Sequence, residues 1–551
     1  MCSSDLLGNK KTVLRGGWSR AFERKNGVGL VLTPALGIGF GDLSVCQGPD
    51  TTGACTGFTD PTTAFRIGVD RNHITVPPLP PVSGGVIIPG QGCPGTGSLA
   101  ACPANANSVF ESRDFRLDPH YTTGGSDSID FSIQRELPGK MILEVGYVGR
   151  WSRDLYGNVD LNHIPYMFTP KGTNQSFAKA FDAVAAQLQA GVQNGPTGFN
   201  ALAVQPWFEA MLPASFCSGF SSCTAAAASF DNDNGNPFWP AHGAGALWFL
   251  LEPNFVTGPM TLASTQVGSL DWSGSFTYAN YHAGFVTLRS RAYRGLTFDA
   301  NYTYSHALDN FGITQECTGA IPDAFDHHRS YGPSLFDRRH TFNLLVNYEL
   351  PFGKGKSMAN GALADKVLGG WSVSGVYVAA SGLPDMVYDS AACFSEFGST
   401  PSNGNSNGMI PIGPGTFNQT RVNNPTLSTS GYGSGSTGGV PNMFQNPDAV
   451  VAGFRYPTFD DKTLGFGRVR GPMRWNVDLA LSKMTRITER FSTRFDVQFV
   501  NAFNHVMFGS GGDSYFSNQP GMDISGPGAF GVPSNQYNSP RYIQMGLRFD
   551  F

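Results

Sequence analysis

Residues Tyr281 to His306 read YHAGFVTLRSRAYRGLTFDANYTYSH, and this stretch decides the fold. In its second arm, apolar and polar residues alternate without interruption. The apolar positions are Leu296, Phe298, Ala300, Tyr302 and Tyr304, and the polar positions are Thr297, Asp299, Asn301, Thr303 and Ser305. A period of two residues is typical of a β-strand with one apolar and one polar face.

The length of the two arms suits a membrane. Each has about ten or eleven residues, which is what a strand tilted by about 45° needs to cross the hydrocarbon core. The apolar face of the second arm ends in Tyr302 and Tyr304, as expected at a membrane interface. The first arm is less regular, because Phe285 falls among the polar positions. The hairpin therefore predicts two membrane-spanning strands.

The composition agrees with this interpretation. Charged residues make up only 14% of the chain, against about 25% in a typical soluble protein, and aromatic residues make up 12%. This balance argues against disorder, and a net charge of −4 gives no reason to expect nucleic acid. No run of about eighteen apolar residues occurs, so no transmembrane helix is predicted. A mean hydropathy of −0.16 still suits membrane strands, because their lipid-facing and lumen-facing residues alternate.

The same alternation recurs along the chain and predicts ten strands. They span residues 12–22, 128–137, 140–149, the two arms of the hairpin, 338–350, 371–382, 474–484, 491–499 and 543–551. Short turns alternate with long loops, which are residues 23–127, 150–280, 307–335, 383–471 and 504–540. A membrane barrel has short turns on the periplasmic side and long loops outside, whereas a soluble β-sandwich has short connections at both ends. We predict an all-β, antiparallel transmembrane β-barrel.

The second long loop carries two further signals. Phe177, Phe181, Val184 and Leu188 recur at helical spacing and predict one short amphipathic helix. Six aromatic residues of the same loop either stack on a sugar or anchor a peptide, or they form a small core around this helix, and we favour the core. They are Trp207, Phe208, Phe238, Trp239, Trp248 and Phe249.

Eight of the nine cysteines lie in the predicted long loops. Close spacing predicts three disulfides formed in an oxidising compartment, with free thiols as the alternative. The predicted pairs are Cys46 with Cys55, Cys93 with Cys102, and Cys217 with Cys223. Cys317 and Cys393 are left for a bridge between loops. Zinc is not expected, since the tight CxxC or histidine spacing that it needs does not occur.

Two polar stretches invite a binding interpretation that we do not favour. Acidic and histidine residues gather in one segment that suits a metal but fits equally well a polar loop turning into a strand. The cluster is Asp323, Asp326, His327, His328, Asp337 and His340. Residues 465–471 (GFGRVRG) lack the spacing and the following helix of a nucleotide-binding glycine loop. We expect neither a metal nor a cofactor.

Several segments resemble TonB-dependent outer-membrane receptors, and especially the large Oar-like group. They are LPGKMILEVGYVGR (137–150), FDRRHTFNLLVNYELPFGKG (336–355), LGGWSVSGVYVAASGLP (368–384), ITERFSTRFDVQFVNAFNHVMF (487–508) and the terminal GLRFDF. The resemblance covers nearly all predicted strands and almost none of the loops. It implies a barrel of about 22 strands in outer-membrane lipid, an amino-terminal plug, and a TonB box that couples import to the proton motive force. The strands found here are then the last of that barrel, and their unpaired edges predict an open, curved sheet.

The start of the chain does not look like a secretory signal. Residues 1–11 have neither a basic n-region nor an apolar h-region, and Cys2 to Leu6 resemble the translation of a sequencing-adapter oligonucleotide. We interpret residues 1–11 as a non-native or truncated leader and residues 12–551 as the carboxy-terminal part of the barrel. By the resemblance, the plug, the TonB box and the first strands have no counterpart here.

The polar face predicts the residues that line the lumen. They are Asp299, Asn301, Asn343, Asn347, Glu349, Arg494, Asp496 and Gln498. By the resemblance, the outer loops capture an unidentified large substrate (a glycan, a peptide or a metal chelate), and a TonB complex acts through the missing amino-terminal part. Phe549 and Phe551 end an alternating strand and resemble the signal by which the barrel-assembly machinery recognises its clients.

The predicted function is import across the bacterial outer membrane. A passive porin-like channel or an outer-membrane adhesin is the alternative, and a secreted β-rich hydrolase domain is a third interpretation. No HExxH, Walker or GxSxG motif occurs, so no catalytic residue is predicted and we do not expect an enzyme.

Overall fold

Ten long strands form one antiparallel ladder, called here the wall, among the residues that the computed structural model describes. These residues are 2–5, 11–23, 114–161, 163–233, 244–245, 247–248, 250–257, 270–310, 321, 323–358, 361–388, 409–413, 421–428, 440–444, 446–463, 469–488, 490–509, 522–524, 530–532, 535–536 and 538–551. The strands are β1 (Thr12–Phe22), β2 (Gly125–Leu137), β3 (Met141–Asp160), β4 (Leu270–Tyr293), β5 (Leu296–Asp309), β6 (His340–Glu349), β7 (Trp371–Ala380), β8 (Arg474–Arg486), β9 (Ser492–Val500) and β10 (Tyr542–Asp550). The predicted ten strands and the all-β, antiparallel class are confirmed.

Three short strands complete the described sheet. Cys2–Asp5 pairs antiparallel with β1, Gly332–Pro333 pairs antiparallel with β5, and Asp114–Leu117 lies parallel to the start of β4. Cys2–Asp5 and β10 are the two ends of the ladder, and no pairing between described residues joins them. The described sheet is therefore open, as predicted. Cys2–Asp5 takes part in it, and the interpretation of residues 1–11 as a leader stays a prediction.

A tight turn joins β4 to β5, and the register of the central hairpin shifts once, between Ser290 and Tyr293. Arg294 and Gly295 connect the two strands, and their φ angles are 52° and 86°. Positive φ at both central residues belongs to the type I′ turn, whose twist matches that of the flanking strands. A side chain at Gly295 would place its Cβ 2.9 Å from the Glu349 carbonyl oxygen. Glycine is therefore required at this position.

β3 and β4 are longer than predicted, so the loop expected at residues 150–280 is shorter. β3 runs to Asp160 and β4 starts at Leu270. Their outer halves pair with each other, but register shifts between Ser152 and Tyr156 interrupt the ladder. These irregularities remove the period-two signal from the sequence, although the strands continue.

The other predicted loops also contain short paired segments. β2 begins inside the loop expected at 23–127, and β5 ends inside the loop expected at 307–335. Four two-stranded sheets lie in the remaining two long loops. They pair Pro384–Asp385 with Val469–Arg470, Ile410–Pro411 with Phe454–Arg455, Arg421–Ser428 with Val440–Phe444, and Phe508–Gly509 with Asn535–Gln536. Such pairs need only a few residues each, too few for a pattern in the sequence.

The register places the apolar side chains of the ten strands on one face. Residues that are directly paired across strands share a face. One row runs through Leu14, Ile133, Val145, Val286, Tyr302, Phe342, Ala379 and Trp475. In the centre of this row Ile133, Val145 and Val286 are exposed rather than packed against protein. This is the arrangement of a wall whose outer face touches hydrocarbon.

The helices lie in the connections between strands. They are α1 (Phe177–Gln189), α2 (Pro206–Met211), α3 (Cys223–Asp233), α4 (Ala362–Leu368) and α5 (Pro447–Val451). α1 confirms the predicted amphipathic helix and buries the apolar residues that predicted it. The side chain of Ser176 caps α1 by accepting a hydrogen bond from the Lys179 amide. None of the described helices is long and apolar enough to cross a membrane.

The outer loops build two apolar cores. The first belongs to the described part of residues 163–257, called here the loop domain, and it contains the fully buried Trp207, Phe208 and Trp248. The loop-core interpretation is thus confirmed for these three residues. Phe238, Trp239 and Phe249 lie outside the described residues. The second core gathers residues of the β7–β8 and β9–β10 connections, which are Val387, Met409, Met443, Phe444, Val450, Phe454, Val469, Met522, Ile524 and Phe530.

Candidate functional site

The eight residues predicted to line the lumen all lie on the face opposite the apolar one. One polar row crosses six strands through Thr297, Asn347, Ser374, Ala480, Gln498 and Gln544. Asp299, Asn301, Asn343, Glu349, Arg494 and Asp496 occupy alternate positions along the same face. The register thus brings the predicted set together on one surface, as the alternation in the sequence implied.

Charged and amide side chains of β4 and β5 form a connected set on this polar face. Arg289 Nε donates to Asp299 Oδ2 at 2.8 Å, and Asn301 Nδ2 donates to Asp299 Oδ1 at 2.7 Å. Thr287 Oγ1 donates to Asn301 Oδ1 at 2.7 Å. The Arg289 side chain is half exposed, so water screens the ion pair and its contribution to stability is small. These groups remain available to a solute.

The set continues along β6 to β9 with charges of both signs. Ser374 Oγ donates to Asn347 Oδ1 at 2.8 Å. Asp496 Oδ1 accepts hydrogen bonds from Ser482 Oγ at 2.5 Å and from Arg494 Nε at 3.0 Å. Because cationic and anionic groups alternate, the polar face presents hydrogen-bond donors and acceptors without one dominant charge.

A groove of about 690 Å³ lies across β4 to β9, and most of its lining residues belong to the polar face. Leu345 and Val376, which are direct partners in the ladder, add an exposed apolar strip among the polar groups. The sequence signalled this only as an exception, because Leu345 interrupts the alternation of β6. The groove therefore combines apolar contact with convergent polar groups, which is the usual character of a small-molecule site.

Asp337 ties the wall to the outer loops. Its buried carboxylate accepts hydrogen bonds from the Ala307 amide at 2.7 Å, from Arg339 Nε at 3.0 Å and from Arg470 Nη2. Burial opposes ionisation, but the hydrogen bonds from Ala307 and Arg470 outweigh it and hold the pKa of Asp337 below its ordinary value. The carboxylate therefore stays an anion and joins the outer end of β5, the residue before β6 and the β7–β8 connection.

Asp323 plays a similar structural part. Tyr166 Oη donates to its carboxylate at 3.1 Å, and Arg329 Nε lies 3.1 Å from Asp323 Oδ2. Burial, followed by the charge of Asp323, raises the pKa of the Tyr166 hydroxyl well above its usual value. The two most buried aspartates of the Asp/His cluster thus face cations and hydroxyls. The described residues contain no group of three or more His, Cys, Asp or Glu placed to hold a metal ion.

The loop domain is joined to the β7–β8 connection through α1. Asp182 accepts hydrogen bonds from the Phe459 amide at 2.8 Å and from the Asp460 amide at 2.9 Å. The Phe459 ring packs into the core of the loop domain, 5.8 Å from the Phe181 ring. Burial raises the pKa of Asp182 to about 7, against the two amide donors. No pattern in the sequence signals this contact, since its two sides are far apart in the chain.

A disulfide links Cys217 and Cys223 within the loop domain, so this predicted pair forms. It closes the segment that leads into α3, whose first amides donate to the Glu209 carboxylate.

The other cysteine predictions fall outside the part of the chain that the structure describes. Neither Cys46 nor Cys55 of the first predicted pair lies among the described residues. Neither Cys93 nor Cys102 of the second predicted pair does so. The same holds for Cys317 and Cys393. The disulfide between Cys46 and Cys55, the disulfide between Cys93 and Cys102, and the bridge between loops therefore stay predictions.

The carboxy-terminal strand lies at an edge of the described ladder. Phe549 belongs to the apolar face, is exposed, and its ring centroid is 6.1 Å from that of Phe491. Phe551 follows the last paired residue and is fully exposed. Both side chains are therefore accessible to a binding partner.

Comparison with protein families gives one match over almost the whole chain. A family model described as "Outer membrane beta barrel domain" matches residues 5–544. No curated protein matches the sequence.

Several solved structures match this chain at low sequence identity and low TM-score. FpvA of P. aeruginosa, bound to heterologous pyoverdines, is 10% identical with a TM-score of 0.32, and the match covers 100% of this chain and 32% of that chain. The ferric enterobactin receptor PfeA of Pseudomonas aeruginosa is 8% identical with a TM-score of 0.32, and the match covers 100% of this chain and 39% of that chain. The outer membrane transporter YddB from Escherichia coli is 7% identical with a TM-score of 0.32, and the match covers 81% of this chain and 34% of that chain. The chain thus spans about a third of the length of these structures.

Proposed function

This chain belongs to the outer membrane beta barrel domain family and lies in the bacterial outer membrane, and we propose that it forms the wall of a TonB-dependent transporter of the Oar-like group. The observation that carries the proposal is the polar face that runs through Thr297, Asn347, Ser374 and Gln498, opposite a hydrocarbon-facing belt. A wall with one wet and one apolar face suits passage of a polar solute. The strands correspond to the carboxy-terminal part of the barrel.

In this proposal the polar face guides the substrate. Asp299, Arg289 and Asn301 offer both donors and acceptors within one connected set. The exposed strip at Leu345 and Val376 adds apolar contact beside them. A substrate with apolar and polar parts fits such a surface best, which favours a peptide or an organic metal chelate over a bare ion. A glycan, whose sugar faces are apolar, also fits.

The outer loops would supply capture. Three of the five outer connections, those between β3 and β4, β5 and β6, and β7 and β8, meet at Asp182, Asp323 and Asp337 at the outer end of the wall, in what is called here the loop layer. Loops that are packed in this way present a preorganised surface, so binding costs less conformational entropy than with free loops.

The remaining parts of the transport cycle are assigned to the whole protein. Energy coupling by a TonB complex, and a plug that gates the lumen, are proposed for the parent protein rather than for these 551 residues. Phe549 and Phe551 are proposed as the contact for the barrel-assembly machinery, because both are exposed at the end of the edge strand.

Dependence of uptake on energy separates this proposal from the passive channel. The experiment compares uptake by the source bacterium with uptake by a strain that lacks the gene. The probes are labelled ferric siderophores, maltodextrins and peptides, each measured with and without a protonophore. We expect the deletion to abolish uptake of at least one probe and the protonophore to abolish the same uptake. A passive porin-like channel instead predicts uptake that is lost on deletion but unaffected by the protonophore.

Lumenal variants provide the second half of this test. The double variant Asp299→Asn/Asn301→Leu changes the connected set on the polar face and should lower uptake of the same probe. Thr12→Val, at the opposite face of β1, is the matched control and should leave uptake unchanged. If both variants import the probe at the rate of the parent, the polar face is not the passage. If the protein is an adhesin, neither the deletion nor the two variants should change the uptake of any probe.

A further inference from the structure

A patch of aromatic side chains continues the lipid-facing side of β4 beyond the membrane. Tyr278, Asn280 and His282 occupy alternate positions of β4 and so share the face that carries Val286. Tyr278 lies four residues outward from His282, which is about 13 Å along a strand. This face therefore leaves the hydrocarbon zone near His282 and enters the zone of the outer headgroups.

Three rings lie side by side at the outer end of this face. The centroids of the Tyr278, His328 and Tyr331 rings are 5.3 to 6.3 Å apart, and each pair of planes is within 30° of parallel. In a single stacked column, the centroids of the first and third rings would lie about twice as far apart as those of neighbouring rings. The three centroid distances here are similar, so the rings form a patch rather than a column. Asn280 Nδ2 donates to Tyr331 Oη at 2.9 Å and Tyr278 Oη is 2.5 Å from His328 Nδ1. His328 is exposed.

The patch is continuous with the aromatic belt at the membrane interface. Tyr147 Oη is 2.6 Å from His282 Nδ1, and the Trp151 ring meets the His282 ring edge-on with centroids 5.3 Å apart. Gly149 lies between Tyr147 and Trp151, and a Cβ there would come within 2.7 Å of Tyr147 Oη. Trp151 is also the direct partner of Asn280. The same surface thus extends from the belt to the outer ring patch.

The chemistry of the patch favours a saccharide. Flat aromatic rings present an apolar face against which the C–H groups of a sugar ring pack, and the hydroxyl, amide and imidazole groups supply hydrogen bonds. The carboxylate of Asp326 accepts a hydrogen bond from the His328 amide. The other oxygen of Asp326 lies 3.5 Å from Arg329 Nε, which balances its charge. The patch residues Tyr278, Asn280, His328 and Tyr331 include no arginine or lysine, the residues that bind phosphate through charge-assisted hydrogen bonds. A saccharide is therefore favoured over a phosphate, the other polar group found in membrane headgroups.

We propose that Tyr278, Asn280, His328 and Tyr331 bind the saccharide headgroup of a glycolipid in the outer leaflet. The source is a membrane glycolipid rather than a free sugar, because the patch lies on the lipid-facing side of the wall and is continuous with its interfacial belt. Binding at this site is separate from the passage of substrate, since the patch and the polar face lie on opposite sides of β4.

The test uses the full chain purified in detergent and titrated with a lipooligosaccharide, with binding read by native mass spectrometry. We expect Tyr278→Ala/Tyr331→Ala to weaken binding about tenfold, which is the loss expected for two aromatic contacts. Tyr278→Phe/Tyr331→Phe keeps the rings and should bind within about twofold to threefold of the parent. Tyr293→Ala, at the other end of the same strand, is the matched control and should bind as the parent does.

Two further titrations decide the ligand class and its source. We expect the alanine variant and the parent to bind phosphatidylethanolamine with the same affinity. If the alanine variant loses as much affinity for phosphatidylethanolamine as for lipooligosaccharide, the patch is a general lipid contact and the proposal is overturned. The soluble core oligosaccharide should bind more weakly than the intact glycolipid, and equal affinity would overturn the assignment to a membrane source. Unchanged lipooligosaccharide binding by the alanine variant, with its heat-modifiable fold intact, would also overturn it.

Discussion

The wall and the loop domain use large apolar side chains in opposite ways. On the wall, Trp18 is 64% exposed and Met545 is 69% exposed. In the loop domain, Trp207 and Trp248 are 0% exposed. Both regions are rich in apolar residues, but the wall turns them away from the protein and the loop domain packs them together. The wall therefore needs lipid as its apolar partner, whereas the loop domain supplies its own.

This difference implies that separate forces hold the two regions. The wall relies on a ladder of backbone hydrogen bonds, which hydrocarbon cannot replace with bonds of its own. The loop domain relies on close packing of large side chains, as a soluble core does. The charged groups follow the same division, because Arg289 and Asp299 on the wall are partly exposed while the carboxylate of Asp337 in the loop layer is fully buried.

The largest expected effect comes from opening the loop-domain core. Trp207→Ala removes a fully buried ring that contacts Phe177, Phe208 and Trp248. Such a cavity costs about 3–5 kcal/mol in the free energy of unfolding. We expect limited proteolysis of the detergent-folded protein to cleave the loop domain much faster than in the parent, while the heat-modifiable band of the wall persists.

Trp18→Ala is the control for this prediction. This variant removes a tryptophan ring from the wall, where the ring contacts lipid or detergent instead of a packed core. Proteolysis of the loop domain should not change in this variant. If Trp207→Ala and Trp18→Ala accelerate loop cleavage equally, the two regions do not differ in the way described.

A charge on the lipid-facing side of the wall should have the next largest effect. Ile133→Arg places a cation near the middle of the apolar row, where it costs about 2–4 kcal/mol in a bilayer. Gln134→Arg, its neighbour on the polar face, sits directly opposite Glu144 and should cost less than about 0.5 kcal/mol. Urea titration of both variants folded into lipid vesicles measures the difference. Equal losses would mean that the two faces do not meet different solvents.

The wall could be predicted from the sequence because its rule is local. Strand alternation between Leu296 and Ser305 fixes which residues face lipid. The tight turn at Arg294 and Gly295 brings the two strands together, with one register shift between Ser290 and Tyr293. The position of the eight predicted residues on the polar face follows from the same alternation. The predicted third strand ended at Gly149, and the continuation of β3 to Asp160 was missed, since register shifts between Ser152 and Tyr156 break the period on which the prediction depends.

The loop layer could not be predicted in the same way because its contacts join distant parts of the chain. α1 was visible from its helical spacing, but nothing local indicates that Phe459 enters its core. Arg470 and Asp337 likewise meet only after the strands between them have paired. A pattern within one element predicts the element, whereas a core built from several loops appears only in the folded chain.

Protonation of Asp182 should change the stability of the loop layer by an intermediate amount. Burial raises the pKa of Asp182 to about 7, above its value in the unfolded chain. The folded state therefore binds the proton more tightly, so the stabilisation is complete at low pH and is lost as the pH rises towards about 7. We expect the stability of the loop layer to fall by on the order of 2 kcal/mol between about pH 4 and pH 7, because the buried carboxylate becomes charged. The loss is less than the full shift because water reaches part of the carboxylate.

Proteolysis of the loop layer at a series of pH values measures this effect, with the rates corrected for the activity of the protease. Asp182→Asn keeps one of the two oxygens that accept the amides of Phe459 and Asp460, replaces the other with an amide nitrogen, and cannot ionise. Its loop layer should show a flat profile over the same range. A profile that falls equally in the parent and the variant would assign the pH dependence to another group.

The smallest expected effect concerns the ion pair between Arg289 and Asp299 on the wall. Both side chains are partly exposed, so a double-mutant cycle with Arg289→Ala and Asp299→Asn should give a coupling below about 1 kcal/mol in urea titrations. Asp337→Asn with Arg470→Ala is the comparison, because that pair is buried and removal of one partner leaves an uncompensated charge worth about 3–5 kcal/mol. A coupling on the wall as large as the one in the loop layer would mean that water does not reach the polar face, which the passage of a solute requires.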